Sequence, residues 1–212
     1  MKDGENEKLK LTKAERKRKE KFDKIVSDMT GKGYEYKDLS FPMWYVYVVG
    51  IMISCALCAA FFVPFYLMNR PLRLDDNIFF LTVTIGLLLV VVHELIHGIT
   101  WAIYAKDGFK SIGFGFSLKA LCPYCTCTEP LKKSAYIVGA MMPTVILGFV
   151  PCVVSLFTGN VLLIFLGMYM ILGGAGDIII SIKLIRHKRD DKEIIYFDHP
   201  CKIGLVYFEK GF

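Results

Sequence analysis

The chain has 212 residues, a formal net charge of +6 and 54% hydrophobic residues, with a mean hydropathy of +0.45. Soluble domains carry roughly 45–50% apolar residues, so this composition excludes an ordinary soluble protein. Charged residues at 22% exclude a disordered chain, and 18 Gly with 8 Pro exclude collagen-like and low-complexity classes. What remains is a small multi-pass membrane protein.

The chain opens with a basic segment. Residues 1–43 hold 12 of the 26 Lys and Arg. Within the cationic run from Lys8 to Lys24 and just beyond it, Phe22, Ile25, Val26 and Met29 follow helical i, i+3, i+4, i+7 spacing. The segment reads either as an interfacial helix lying on anionic lipid or as a solvated tail that sets topology. No pattern of stacking aromatics accompanies the charge, so nucleic acid is not an expected partner. Thr30-Gly31-Lys32-Gly33 then reads as a turn toward the membrane.

Four stretches approach or exceed the roughly 20 residues that a bilayer span needs. They run from Trp44 to Met68, Ile78 to Ala105, Tyr136 to Phe157 and Val161 to Ile185. The expected fold class is therefore all-α: a four-helix membrane domain over residues 44–185, flanked by the basic tail 1–43 and a C-terminal tail 186–212. The link Thr158–Asn160 is short enough to make the last two spans an antiparallel pair. Counting Lys and Arg on either side gives 24 of the 26 on the side of both tails and the 106–135 loop. Arg70 and Arg73 alone fall in the opposite loops. Excess positive charge marks the cytoplasmic side, so both termini are expected inside a cell membrane, with lipid as an obligatory partner. The first apolar run begins too late for a secretory signal.

Seven cysteines do not suggest disulfides. Cys55, Cys58 and Cys152 fall in spans, whereas Cys122, Cys125, Cys127 and Cys201 fall on the expected cytosolic side, where thiols stay reduced. Cys122-x-x-Cys125-x-Cys127 reads as free loop thiols or as a soft-metal or redox site.

The second span carries His93-Glu94-Leu95-Ile96-His97. Residues i and i+4 of a helix share a face, so both imidazoles can reach one tetrahedral zinc ion. Glu94 is placed to take a proton from an activated water and pass it to a leaving amine. Ionisable groups inside an apolar helix are costly and mark function; the competing reading has them bonding neighbouring helices. A catalytic zinc needs a third protein ligand and an open position. His97 lies 8 residues before Ala105 and Asp177 lies 8 before Ile185, so at about 1.5 Å per residue the two share a depth. Asp177 follows Gly173-Gly174-Ala175-Gly176, where small residues allow close helix approach. It reads as the third ligand or as a carboxylate in a water-filled vestibule; His187 and His199, outside the spans, are weaker candidates.

Taken together, these residues resemble a family. His93-Glu94-Leu95-Ile96-His97-Gly98, Glu129-Pro130 before a proline-containing span, Gly174-Ala175-Gly176-Asp177 and the closing Asp198-His199-Pro200 with Ile203-Gly204 look like the putative zincin peptidase family of bacterial membrane proteins. The resemblance covers about Phe79 to Gly204. More distantly the arrangement is similar to the site-two-protease class of intramembrane metalloproteases. That likeness implies a zinc peptidase in which His93, His97 and Asp177 hold the metal and Glu94 is the base. The class has an Asn-Pro-x-x-Asp-Gly-like motif for its third ligand, from which Gly174-Ala175-Gly176-Asp177 departs.

Between the second and third spans, Ile112, Phe114, Phe116 and Leu118 alternate with Gly113, Gly115 and Ser117. Period two predicts a strand whose edge can hold an extended substrate, or else a loop dipping into the interface. Glu129-Pro130 and Met142-Pro143 read as structural, the latter as a kink. Two functions stand: a zinc endopeptidase acting on membrane-embedded or membrane-proximal peptides, and a non-enzymatic zinc-binding or scaffolding membrane protein.

Overall fold

The protein's computed structural model describes residues 13–68, 76–117, 122–187, 192–199 and 204–211. Lys8, Arg70, Arg73, Leu118, Pro200, Cys201 and Ile203 lie outside them. Helix α1 (Lys13–Gly31) leads through a turn at Gly33 into strand β1 (Glu35–Ser40). An apolar run in hydrocarbon must satisfy its own backbone, and a helix does so. Accordingly α2 (Val46–Leu67), α3 (Asp76–Tyr104) and α4 (Lys133–Thr158) are long and apolar enough to cross a membrane. Strands β2 (Ile112–Ser117) and β3 (Cys122–Cys127) form a hairpin between α3 and α4. Helices α5 (Val161–Gly173) and α6 (Ala175–Arg186) meet at a 57° bend, and the pair is apolar enough for a fourth span. Strands β4 (Lys192–Asp198) and β5 (Gly204–Gly211) end the chain.

The fold is mostly helical but not all-α, and this corrects the expectation from the sequence. Strand β5 pairs antiparallel with both β1 and β4, in the order β1-β5-β4. Glu35 faces Glu209 and Asp198 faces Leu205, so segments flanking the membrane domain on either side share one sheet. The apolar stripe of α1, made of Phe22, Ile25, Val26 and Met29, packs on Ile195, Phe197, Val206 and Phe208 of that sheet. The stripe therefore faces this sheet. The other sheet face, with Leu205 and Tyr207, joins Trp101 of α3, Ala135 and Tyr136 of α4 and Leu184 of α6 in a second cluster. Lys183 ties the two layers, donating to Leu39 O at 2.9 Å with its ammonium 3.8 Å from the Phe41 ring centre.

Special residues shape the bundle. Where a kink is expected at Pro143, the helix instead widens over Thr144–Phe149, just past the position that has no N–H for the i→i−4 ladder. Gly159 caps α4 in the left-handed region at φ 68°, and Asn160 caps α5 by accepting from Leu163 N at 3.1 Å. Helices α4 and α5 then pack backbone to backbone at Gly148 and Gly167. A Cβ at Gly167 would lie 2.5 Å from Cys152 Sγ and 2.7 Å from Gly148 O. Overpacking of this kind costs about 1–3 kcal/mol. Gly167→Ala should lower stability by that order in a detergent-solubilised unfolding titration. Gly173→Ala, whose Cβ would meet nothing within 4 Å, should leave the midpoint nearly unchanged.

Candidate metal centre

Helix α3 presents His93 and His97 one turn apart, so their side chains stack on the same face. Both are buried, at 6% and 4% exposure. The bend at Gly174 starts a new helix just before Asp177 and puts this carboxylate in the first turn of α6, where a helix favours negative charge. Only glycine permits the bend to pack, because a Cβ at 174 would collide with the Thr144 hydroxyl.

Three ligand atoms converge there. His93 Nε2 lies 3.1 Å from His97 Nε2 and 3.2 Å from Asp177 Oδ2, and His97 Nε2 lies 3.5 Å from the same oxygen. Zinc bound tetrahedrally at about 2.0–2.2 Å holds its ligand atoms about 3.3–3.6 Å apart. The observed triangle fits that ion in size and in donor chemistry. The Nδ1–H of His97 donates to Gly139 O at 2.8 Å. In the neutral tautomer this bond leaves the lone pair on Nε2, facing the other two atoms. The Nδ1 of His93 has no such partner among the described residues. A carboxylate oxygen of Glu94 and a nitrogen of each histidine also lie within 4.8 Å of one another. Glu94 is only partly buried, and the backbone of Cys125 on strand β3 lies beside its carboxylate.

A wall of aromatic rings closes one side. The Trp101 ring stacks on His97 with centroids 5.1 Å apart and planes at 14°. Its Nε1–H donates to Tyr136 O at 3.4 Å, and its edge occupies the space a Cβ at Gly139 would need. Gly139 therefore serves twice, as acceptor for His97 and as the gap that admits Trp101.

Of the residues singled out from the sequence, His93, Glu94, His97 and Asp177 come together. His187 and His199 do not: His187 Nδ1 pairs with Tyr196 Oη at 2.9 Å, and His199 stacks on Phe22. Glu129 is structural, accepting from Lys106 N, Asp107 N and Ser111 Oγ at the end of α3. Among the described residues the only candidate metal cluster is the one at His93, and it includes no cysteine. Burial pushes the Cys125 thiol up and that of Cys127 up to about 11, which lowers their reactivity as free thiols. Residue order singles out neither Trp101 nor Gly139, and it singles out Cys125 only for its thiol. Trp101 continues the i+4 series of His93 and His97, so its signal was available. Gly139 and Cys125 act through backbone atoms, which side-chain patterns do not reveal.

The sequence model of a family described as putative zincin peptidase matches residues 86–191, half of the chain, and spans all four site residues. No curated protein and no solved structure matches.

Purified protein should carry about one zinc per chain by elemental analysis. His93→Ala or His97→Ala should lose most of it, because two remaining ligands hold zinc poorly. Asp177→Ala should bind more weakly; unchanged affinity in that variant would remove Asp177 from the centre.

Proposed function

This chain belongs to the putative zincin peptidase family, and from that premise we propose that it is a zinc-dependent endopeptidase whose catalytic centre lies within the membrane. The observation that carries the reading is the triangle of His93, His97 and Asp177 with the Glu94 carboxylate beside it. Three protein ligands leave the fourth position of a tetrahedral ion open, as catalytic zinc sites do. Zinc would supply Lewis acidity to the scissile carbonyl and to the attacking water.

The chain's own residues do the rest. Glu94 neighbours the ligands without completing the triangle, so its carboxylate takes the proton of the water and returns it to the departing amide nitrogen. Gly139 O and the Trp101 ring hold the His97 imidazole in one orientation and keep water from its far face. The hairpin supports an extended substrate. Among the described residues no strand pairs with the outer edge of β2, and Phe114 and Phe116 project from it with more than half of their surface exposed. An edge offers a substrate backbone its hydrogen bonds, and exposed rings suit an apolar segment drawn from the bilayer. Such substrates are membrane-embedded or membrane-proximal peptides.

Charge supports the orientation. Lys and Arg concentrate on the side of both termini and the hairpin, which puts these, and the site near them, toward the cytosolic face of a cell membrane. Reporter fusions should read inside near residue 115 and at the C-terminus, and outside near residue 73. An outside signal from the hairpin would invert the arrangement.

Glu94→Gln isolates the chemistry, since glutamine keeps shape and an acceptor oxygen but takes no proton. The variant should retain zinc while cleaving membrane-anchored reporter peptides about 10²–10⁴-fold more slowly. A chelator should abolish wild-type cleavage, and added zinc should restore it. Equal rates for the two proteins would remove Glu94 as the base. Zinc bound in both with cleavage by neither, across a broad panel, would leave a metal-binding scaffold.

A further inference from the structure

Strand β4 ends in Asp198, whose carboxylate accepts hydrogen bonds from two other elements. Oδ2 accepts from Thr126 Oγ1 at 2.7 Å and from Cys127 N at 3.1 Å, both on β3. Oδ1 accepts from Tyr136 Oη on α4. None of these donors belongs to the sheet that contains Asp198. Docking of β4 does not depend on this carboxylate either, because Leu131 and Tyr196 exchange backbone bonds at 3.1 and 3.2 Å.

Each arm of the carboxylate leads to the candidate metal centre. Tyr136, 3% exposed, lies 5.3 Å from Trp101 between ring centres and accepts the Trp101 Nε1–H on its carbonyl; Trp101 in turn stacks on His97. On the other arm, the N–H groups of Cys127 and Cys125 are two residues apart and so leave the same edge of β3. The first is held by Asp198, and the second faces the side where Glu94 lies. Pro123, which has no N–H, continues that edge.

We infer that Asp198 is a positioning residue for the metal centre: its carboxylate clamps β3 and Tyr136 in the arrangement that presents the Cys125 backbone to Glu94 and the Trp101 ring to His97. The inference rests on the metallopeptidase reading above and extends it, since it gives a role to Asp198, which the resemblance includes but to which it assigns no function. The functional unit then includes the extramembrane sheet.

The test uses the full chain with Trp44→Phe, which leaves Trp101 as the single tryptophan of the two in the sequence. Three quantities are read: Trp101 emission, zinc affinity by chelator competition, and the visible absorption of Co(II) loaded in place of zinc. Asp198→Ala should shift the emission, alter the Co(II) bands and weaken zinc about 10–100-fold, the usual cost of losing a group that supports a ligand. Asp198→Asn should stay near wild type, because its amide can accept from Thr126 and Cys127 and donate to the Tyr136 oxygen. Val206→Ala, fully buried on the α1 side of the sheet, should lower the melting temperature without moving the three readouts.

Two results would overturn the clamp. One is Val206→Ala reproducing the Asp198→Ala changes, which would make them general loosening of the sheet. The other is Asp198→Asn as impaired as Asp198→Ala, which would replace hydrogen bonding by charge. If Asp198→Ala does not fold, Tyr136→Phe, lacking one of the three donors, takes its place under the same criteria. A wild-type chain that takes up neither zinc nor Co(II) would sink the metallopeptidase reading itself, and the emission arm, which needs no metal, would still decide the clamp.

Discussion

Polar side chains inside an apolar bundle must find partners, and the four at this centre find them mainly in one another and in backbone atoms. The nitrogens of His93 and His97 and an oxygen of Asp177 lie within 3.5 Å of one another. In hydrocarbon each would be expensive alone. Their convergence requires the first turn of α6 to reach the histidine face of α3, and much of the bundle is arranged around that approach. Gly174 allows the chain to bend by 57° against Thr144. Gly139 allows Trp101 to stack on the face of His97 while its own carbonyl accepts from the edge of the same ring.

The same constraint explains why the extramembrane parts are built as they are. The hairpin packs close on α3 because Gly98, next to His97, leaves room for Phe114 and Ile112. Its strand β3 then runs beside Glu94 with backbone donors facing outward. Hairpins are marginal alone, and this one is tied by Asp198 to the three-stranded sheet and to α4. That sheet is in turn covered by α1 on its other face. Layers of contact thus reach from the centre to the first and last described elements.

Local features were legible from residue order. Three helices of spanning length follow from apolar length, the H-E-x-x-H face from the period of a helix and the β2 strand from alternation, whereas the bend that breaks the fourth apolar stretch does not. Asp177 could be matched in depth to His97 because depth is additive along a helix. Amphipathicity of α1 was equally plain, but not what its stripe would touch: a lipid surface and a sheet offer the same apolar contact to a helix.

The sequence by itself determined that this chain has helices long and apolar enough to cross a membrane, which of them carry its ionisable groups and which residues have the donor chemistry for zinc. Only the tertiary structure decided that residues 35–40 pair with residues 204–211, that Gly139 supplies the acceptor for His97, and that Asp198 joins β3 to Tyr136. The physical reason is range. Helix period and hydrophobic length are set by neighbours a few positions apart. Strand pairing across the whole chain, and hydrogen bonds to backbone atoms, depend on which segments meet in space, and no side-chain pattern within either segment encodes that.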